Sequence, residues 1–504
     1  MWIAGPLSGA LVQPYVGIRS DNCRLRYGRR RPFIIGGALA TIVSLLALSW
    51  SREIVAGIGG LFGADSASDN TLFATQIFAV AFVYVLDFSI NVIQAAIRAY
   101  IVDCAPTHQQ EDANAWASRL TGVGNIVGYL SGYLNLPSIL PWLGDSQFKI
   151  LAEIASIVMI TTVMISCLSI AEADPRQLGA PTETSGGVIG FFKGLYNSIR
   201  RLPPQIRAVC GVQLFAWVAW FPFLFYTTTY VAGIYAEPFF LEDPHRTDED
   251  INQIMETGTR LGTFALLIFA LTTFAASVLL PFIITPSYKP IEESQPSTTP
   301  MTPMRHHDAS SSAEGGYFNK SSSTSRPSML SRFWASIRRA DFHIPYLTLR
   351  RAWLLSHLVF TILMAGTFFV HSSTGAIILI GLIGIPWAMT NWAPFALISA
   401  EMSKRDAIRR GKRAPPPTAD GQALANDDDE AEDQAGVVLG IHNVAIAAPQ
   451  VVATLVSSVI FQWLQKPRGT PGDDSVAWVL RFGGVCALGA AWATTRVMEG
   501  DADE

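Results

Sequence analysis

Charged residues are scarce in this chain. Of its 504 residues only 15% are Asp, Glu, Lys or Arg, and 50% are apolar, whereas soluble domains carry roughly a quarter charged residues. The five cysteines are scattered without a CxxC pair or a metal-ligand spacing, which indicates buried thiols and no metal site. The sequence also lacks a nucleophile elbow, a P-loop and an HExxH helix, so we expect neither an enzyme nor an ATP-driven pump.

Long apolar runs take the place of soluble domains. Runs of about 18 residues or more are typical of membrane spans. The chain has eleven such segments, at 1–18, 33–50, 72–98, 115–134, 150–170, 208–231, 259–285, 352–371, 374–398, 437–463 and 476–497. The predicted fold class is therefore an all-α polytopic membrane protein, surrounded by a lipid bilayer and not bound to nucleic acid.

The loops between these spans alternate in charge. Basic residues concentrate in loops 19–32, 171–207, 286–351 and 399–436, while loops 51–71, 135–149 and 232–258 have few. The positive-inside rule places the basic loops in the cytoplasm. Loop 99–114 lies on the same side by parity but is acidic, so it adds no support.

The central loop 171–207 divides the spans into five and six. We predict an N-terminal helical bundle at 1–170 and a C-terminal bundle at 208–498. Carriers built from two six-span halves are common, so we expect that the first of twelve helices is missing from this sequence. Within the C-terminal half, segments 286–345 and 403–435 are rich in Ser/Thr/Pro and in Asp/Glu/Ala respectively, which predicts disorder.

Four polar side chains share one face of the third span. Asp87, Asn91, Gln94 and Arg98 are separated by four, three and four residues, and a helix with 3.6 residues per turn aligns them. A carboxylate in hydrocarbon costs at least about 2.5 kcal/mol, so Asp87 should face the bundle interior or a water-filled cavity. There it could take a proton from a mildly acidic exterior. A packing Asp, hydrogen-bonded to a neighbouring helix, is the alternative.

Other spans offer further candidates for a polar site. Asn125 lies in a span with glycines at 124, 128 and 132, a spacing that predicts close helix packing. Trp217 and Trp220 belong to an aromatic run that could stack on sugar rings or form an interfacial belt. Residues 381–394 contain two glycines and two prolines, and interrupted helices are where carriers tend to place sites or gates.

Several segments resemble one known family. Segment 17–33, GIRSDNCRLRYGRRRPF, resembles the loop signature of the major facilitator superfamily, and its RxGRRRPF form is similar to the sucrose transporter branch of the glycoside–pentoside–hexuronide cation symporters. The similarity continues, in order, through Leu86-Asp87, Ile97-Arg98-Ala99, GNIVGY at 124–129, WVAWFPF at 217–223, GTRLG at 258–262, GIPWA at 384–388, PFAL at 394–397 and GIHNVAIAAPQ at 440–450. Together these matches cover nearly every span.

The resemblance implies a major facilitator fold with two helical bundles and a proton-coupled symport of sucrose or a maltose-type α-glucoside. It assigns Asp87 to proton coupling and sugar binding and Arg98 to the arginine at the end of the same span. It assigns Arg29, Arg30 and Arg31, with Asp21, to a gating loop on the inner face.

One departure from the family bears on specificity. Plant members carry acids just after the WFPF stretch, where this chain has Thr227 and Thr229. The resemblance is therefore to fungal-type or animal-type relatives.

Taken together, we expect Asp87, Asn91, Gln94, Arg98, Asn125, Trp217 and Trp220 to form the site, with the proton as coupling ion and no other cofactor. The alternatives are a carrier for another glycoside or monosaccharide, and a transporter-like sugar sensor without net transport. We expect the plasma membrane, with the vacuolar membrane as the alternative.

Overall fold

The computed structural model describes residues 4–63, 65, 68–104, 110–170, 172, 196–197, 199–243, 246–285, 344–409 and 435–499. Its N-terminal half consists of α1 (Ala4–Asp21), α2 (Arg31–Ser49), α3 (Ser51–Leu61), α4 (Asp69–Cys104), α5 (Gln110–Tyr133), α6 (Leu136–Ile139) and α7 (Gln147–Ser169). Its C-terminal half consists of α8 (Pro204–Glu242), α9 (Asp248–Ile283), β1 (Ile284–Thr285), β2 (Ile344–Thr348), α10 (Leu349–Gly366), α11 (Ser373–Arg409), α12 (Ala435–Leu464) and α13 (Ser475–Thr494).

The predicted all-α polytopic architecture is confirmed. Each of the eleven predicted spans coincides with a helix, and eight of these helices are long and apolar enough to cross a membrane: α2, α4, α7, α8, α9, α11, α12 and α13. Several helices run well past the apolar segment, so that predicted loop 232–258 is largely helical and only 243–247 separate α8 from α9.

The helices pack within each half and across two seams between the halves. α4 contacts α1, α2 and α3, while α8 contacts α9, α11, α12 and α13. Across the halves, α1 packs along α12 and α5 packs along α9. The core is concentrated in the C-terminal half, where large side chains such as Trp220, Phe223, Trp353 and Phe360 are buried.

Glycine spacing explains how closely α8 and α9 approach. A Cβ at Gly258 would lie 2.8 Å from the Cα of Ala232, and one at Gly262 would lie 2.8 Å from the Cα of Thr228. The two glycines are four residues apart and therefore share one face of α9. Without side chains on that face, the backbones of the two helices can touch.

The sequence did not predict the two short parallel strands. β1 pairs with β2 through Ile284 and Ile344, and strand β2 leads directly into α10. Most of the predicted disorder at 286–345 and 403–435 lies outside the described residues. At the described edges the prediction is wrong, because residues 344–345 belong to β2 and residues 403–409 continue α11.

Candidate functional site

The polar face of α4 lies against α1. Gly5 is level with Asp87, Gly9 with Asn91, and Gln13 with Gln94, as their contacts show. Both sets of residues ascend together, so the two helices run parallel. The glycines of α1 leave space opposite the polar side chains of α4, and this space opens toward the C-terminal half.

A cavity of about 240 Å³ lies between the halves at this level. Four residues of α4 and α1 with polar side chains, Gln13, Asn91, Gln94 and Arg98, form one wall. Helices α8, α11 and α12 form the opposite wall with Gln213, Trp217, Trp387, Thr390, Asn391, Phe395, Asn443, Ile446, Ala447 and Gln450. The lining is therefore a mixture of amides and aromatic rings, with Arg98 as its one charged residue among those described.

The amides of the N-terminal wall hydrogen-bond to each other. Gln13 Nε2 donates to Asn91 Oδ1 at 2.7 Å and to Gln94 Oε1 at 3.4 Å. Asn91 Nδ2 donates to Ser8 Oγ at 2.9 Å and to the Asp87 carbonyl, also at 2.9 Å. These bonds fix the orientation of the amides and leave lone pairs and hydrogens for a ligand.

The C-terminal wall combines aromatic rings with polar atoms that lack partners. Trp217 packs edge-on against Trp387, with ring centroids 6.0 Å apart. Gln213 Nε2 lies 3.0 Å from His442 Nε2. Among the described residues, Gln213 Oε1, Trp217 Nε1 and His442 Nδ1 have no hydrogen-bond partner. Buried polar atoms in native structures are nearly always hydrogen-bonded, and a ligand in the cavity is one source of the missing partners.

Arg98 lies at the end of the stripe, as predicted, but has no carboxylate partner among the described residues. Its guanidinium carbon is 5.6 Å from the centroid of the Phe395 ring, which belongs to α11. Arg98 therefore contacts the C-terminal half through a cation–π interaction. This contact crosses the cavity and links the two walls.

Asp87 borders the cavity but is not one of its lining residues. It is partly buried on α4, and its Oδ2 lies 4.0 Å from the position of a Cβ at Gly5, which does line the cavity. Among the described residues the carboxylate has no ion-pair partner. The carboxylate thus lies one turn from Asn91, next to the polar network, and forms no ion pair with a described residue.

Two predicted site residues lie elsewhere. Trp220 is 1% exposed and packs against Phe360, at a centroid distance of 4.3 Å, and against Trp387 at 4.8 Å. Three residues rotate a helix by about 300°, so only Trp217 of the pair reaches the cavity. Asn125 is exposed on α5, which packs on α9, and it is not a lining residue.

The predicted gating loop forms an ionic cluster at the end of the N-terminal half that the positive-inside rule predicts to be cytoplasmic. Arg29 and Arg30 pair with Asp103 at the end of α4, at 2.6 Å and 2.7 Å. Their backbone amides donate to Glu172 Oε1 at 2.9 Å and 2.8 Å. The α1–α2 loop is thereby tied to the ends of α4 and α7.

Arg31 and Asp21 are the other two residues assigned to that loop. Arg31 donates to the Ile170 carbonyl beyond the end of α7, whereas the side chain of Asp21 lies outside the described residues. The gating role itself stays a prediction.

Sequence reasoning missed most of the C-terminal wall. Gln213, Asn443 and Gln450 are amides inside apolar spans, and that isolated polarity was the available signal. Trp387 and Asn391 lie between Pro386 and Pro394, in the interrupted segment that was expected to carry a site or gate.

A family model described as MFS/sugar transport protein matches residues 6–283. The general alpha-glucoside permease of Schizosaccharomyces pombe is 34% identical over 508 residues, covering 98% of this chain and 85% of the permease. The sucrose transport protein SUT1 of Oryza sativa subsp. japonica is 28% identical over 303 residues, covering 56% of this chain and 53% of that protein.

A solved structure shares the fold. The crystal structure of a D-xylose-proton symporter matches with a TM-score of 0.50 and 13% identity, covering 99% of this chain and 88% of the other. At that identity the likeness concerns the fold alone. It agrees with the major facilitator fold that the sequence segments implied.

Proposed function

Because the chain belongs to the family of MFS/sugar transport proteins, we propose that it carries a disaccharide, sucrose or a maltose-type α-glucoside, across a membrane together with protons. It is a multi-pass transporter and not an enzyme. The similarity to the S. pombe permease extends over nearly the whole chain and supports an α-glucoside as the substrate. The sucrose transport proteins support the same substrate class, although the chain spans only about half their length.

The observation that carries the proposal is the cavity between the halves. Its amides can donate to and accept from sugar hydroxyls, and its indole rings can pack against the apolar faces of a sugar. The cavity holds about 240 Å³, just below the range of roughly 300–1,000 Å³ typical of ligand pockets. A disaccharide therefore needs the halves to move apart, as alternating access requires.

The seam between α1 and α12 is where this movement meets resistance. Asn443 Nδ2 donates to the Gly9 carbonyl at 2.7 Å, and a Cβ at Gly9 would lie 3.3 Å from that of Ala447. One of the two access states has to break these contacts. The protein then moves between a state with this seam closed and one with it open, around a site that both halves share.

Asp87 is the proposed proton carrier. Its carboxylate lies beside the Asn91 network and forms no ion pair with a described residue, so among those residues protonation has no ion pair to break. Moving one charge across the field costs about 2.3 kcal/mol per 100 mV. A proton from the outer solution would neutralise Asp87 and so reduce the charge that moves when the loaded carrier reorients. Deprotonation of Asp87 in the inward-facing state would release that proton.

Uptake of labelled sucrose and maltose into vesicles tests the proposal. Purified protein is reconstituted, and accumulation is compared at an outer pH of about 5 and about 7, so that the inward proton gradient available to a symporter differs between the two measurements. We expect accumulation against a gradient that is larger at the acidic pH. Accumulation without pH dependence would exclude proton coupling.

The same assay separates the alternatives. Binding of maltose without uptake would identify a sensor that does not transport. Uptake that unlabelled monosaccharides or other glycosides suppress better than maltose does would identify a different solute. We place the protein in the plasma membrane; a fluorescent fusion that labels the vacuolar membrane would contradict this.

A further inference from the structure

Gln213 and His442 form a buried polar pair beside the cavity. Gln213 belongs to α8 and His442 to α12, and each is 1% exposed. Gln213 Nε2 lies 3.0 Å from His442 Nε2. Both residues are in apolar spans, where polar side chains are rare and typically mark a substrate pathway.

The pair leaves two of its own atoms without partners. Among the described residues, neither Gln213 Oε1 nor His442 Nδ1 makes a hydrogen bond. Turning the amide, or changing the tautomer of the imidazole, exchanges the roles of the atoms. Neither change supplies a second partner. The amide and the ring each have two polar atoms, and the one hydrogen bond between them uses one atom of each.

The two walls of the cavity differ in this respect. The amides of Gln13, Asn91 and Gln94 bond to each other across α1 and α4. On the opposite wall Gln213 and Trp217, one turn apart on α8, line the cavity, and each has a buried side-chain atom that no described residue bonds: the amide oxygen of Gln213 and the indole nitrogen of Trp217. Among the described residues, the buried polar atoms of the cavity walls that lack a partner are therefore on the C-terminal wall.

We propose that Gln213 binds a hydroxyl group of the sugar and determines which glycoside the protein accepts. This inference rests on the proposed function and adds a contact in the C-terminal half that the polar stripe of α4 does not provide. A site built to bond a hydroxyl rejects an analogue without it, since a buried polar group then stays unpaired. The cost falls on the wrong sugar and produces selectivity.

His442 acts as a positioning residue for this contact. It occupies one end of the Gln213 amide and so fixes which direction the other end faces. The ring of Phe395 packs edge-on against the imidazole, at a centroid distance of 4.9 Å, and holds it in place. Because Phe395 also contacts Arg98, the pair is coupled to the opposite wall of the cavity.

The test uses maltose and the set of monodeoxymaltoses, each lacking one hydroxyl. Binding is measured by calorimetry on the purified full chain in lipid nanodiscs, for the parent protein, Gln213→Leu and Gln205→Leu. In the parent, we expect one deoxymaltose to bind about tenfold more weakly than maltose. In Gln213→Leu, maltose itself should bind about tenfold more weakly, and the difference between the two sugars should disappear.

Gln205→Leu is the matched control. Gln205 lies on the same helix and is buried, but both ends of its amide bond to the backbone of Met498. This variant should lose thermal stability and keep the parent's discrimination. His442→Leu should abolish the discrimination between the sugars. His442→Asn, whose side chain can still bond to the Gln213 amide, should retain part of it.

Three results overturn the inference. Gln213→Leu could keep the parent's ranking of the deoxymaltoses, or the parent could bind all of them equally. In either case maltose binding would still stand and so would the proposed function. Failure of the parent to bind maltose or sucrose at all would remove both.

Discussion

Replacing Asn443 by Leu should shift the balance between the two access states. The Asn443 amide donates to the Gly9 carbonyl across the seam between the halves, at 2.7 Å and in a buried position. Hydrogen bonds between membrane helices are worth about 0.6 kcal/mol on average and up to about 1.7 kcal/mol. Loss of the bond should therefore disfavour the closed seam by a factor of about 3 to about 17 in the population ratio.

Double electron–electron resonance, which measures the distance between two spin labels, reports that population ratio. Leu25 and Tyr346 are exposed and lie on the predicted cytoplasmic side of the two halves. Labels at these positions report on the separation of the halves in a background without the five native cysteines. Asn443→Leu should raise the population with the seam open. The control is Gln147→Leu, since its hydrogen bonds stay within the N-terminal half. An unchanged ratio, or a shift that this control matches, would refute the reasoning.

Three further perturbations address packing and the two membrane faces. Gly262→Leu should lower the free energy of unfolding by about 1–3 kcal/mol through overpacking, because a Cβ there would lie 2.8 Å from the backbone of α8. An unchanged melting temperature would contradict the close approach of α8 and α9. Gly28→Val should weaken the inner ionic cluster, because Gly28 has φ +115° and a Cβ there would lie 2.0 Å from Glu172 Oε2; proteolysis of the α1–α2 loop should speed up. On the predicted outer side, the hydrogen bond from Lys149 holds the pKa of Glu53 below its ordinary 4.5. The stabilisation from this ion pair is therefore present above that value and is lost as the pH falls through the lowered pKa of Glu53. The melting temperature of Glu53→Gln should consequently fall less on acidification than that of the parent.

Much of the fold followed from local properties of the sequence. Length and apolarity fix a membrane span without knowledge of its neighbours, so every predicted span coincides with a helix. The polar stripe was equally local. Asn91, Gln94 and Arg98 share a face because of helical geometry alone, and all three line the cavity.

The sequence failed where the outcome depends on which helices meet. Gly124 and Gly128 have the spacing of a packing face, yet no described residue lies within 4 Å of a Cβ at either position. Trp220 belongs to the same aromatic run as Trp217 but faces the core. Gln213 and Asn443 lie far apart in the sequence, and only the packing of α8 beside α12 brings them to one cavity.

Asp87 illustrates the boundary between the two cases. Periodicity placed it correctly on the face that Asn91 occupies, but the edge of the cavity depends on how far α1 covers that face. Its position beside Gly5 keeps it adjacent to the polar network. The role of Asp87 in proton coupling remains a prediction.

The most direct measurement is the proton movement that sugar addition causes. Vesicles containing the parent, Asp87→Asn or Asp145→Asn receive maltose, and a dye reports the external pH while labelled maltose reports exchange. The parent and Asp145→Asn, whose carboxylate is exposed on the predicted outer side, should alkalinise the medium. Asp87→Asn should still exchange maltose without moving protons; sugar-dependent alkalinisation as large as the parent's would contradict the assignment of coupling to Asp87.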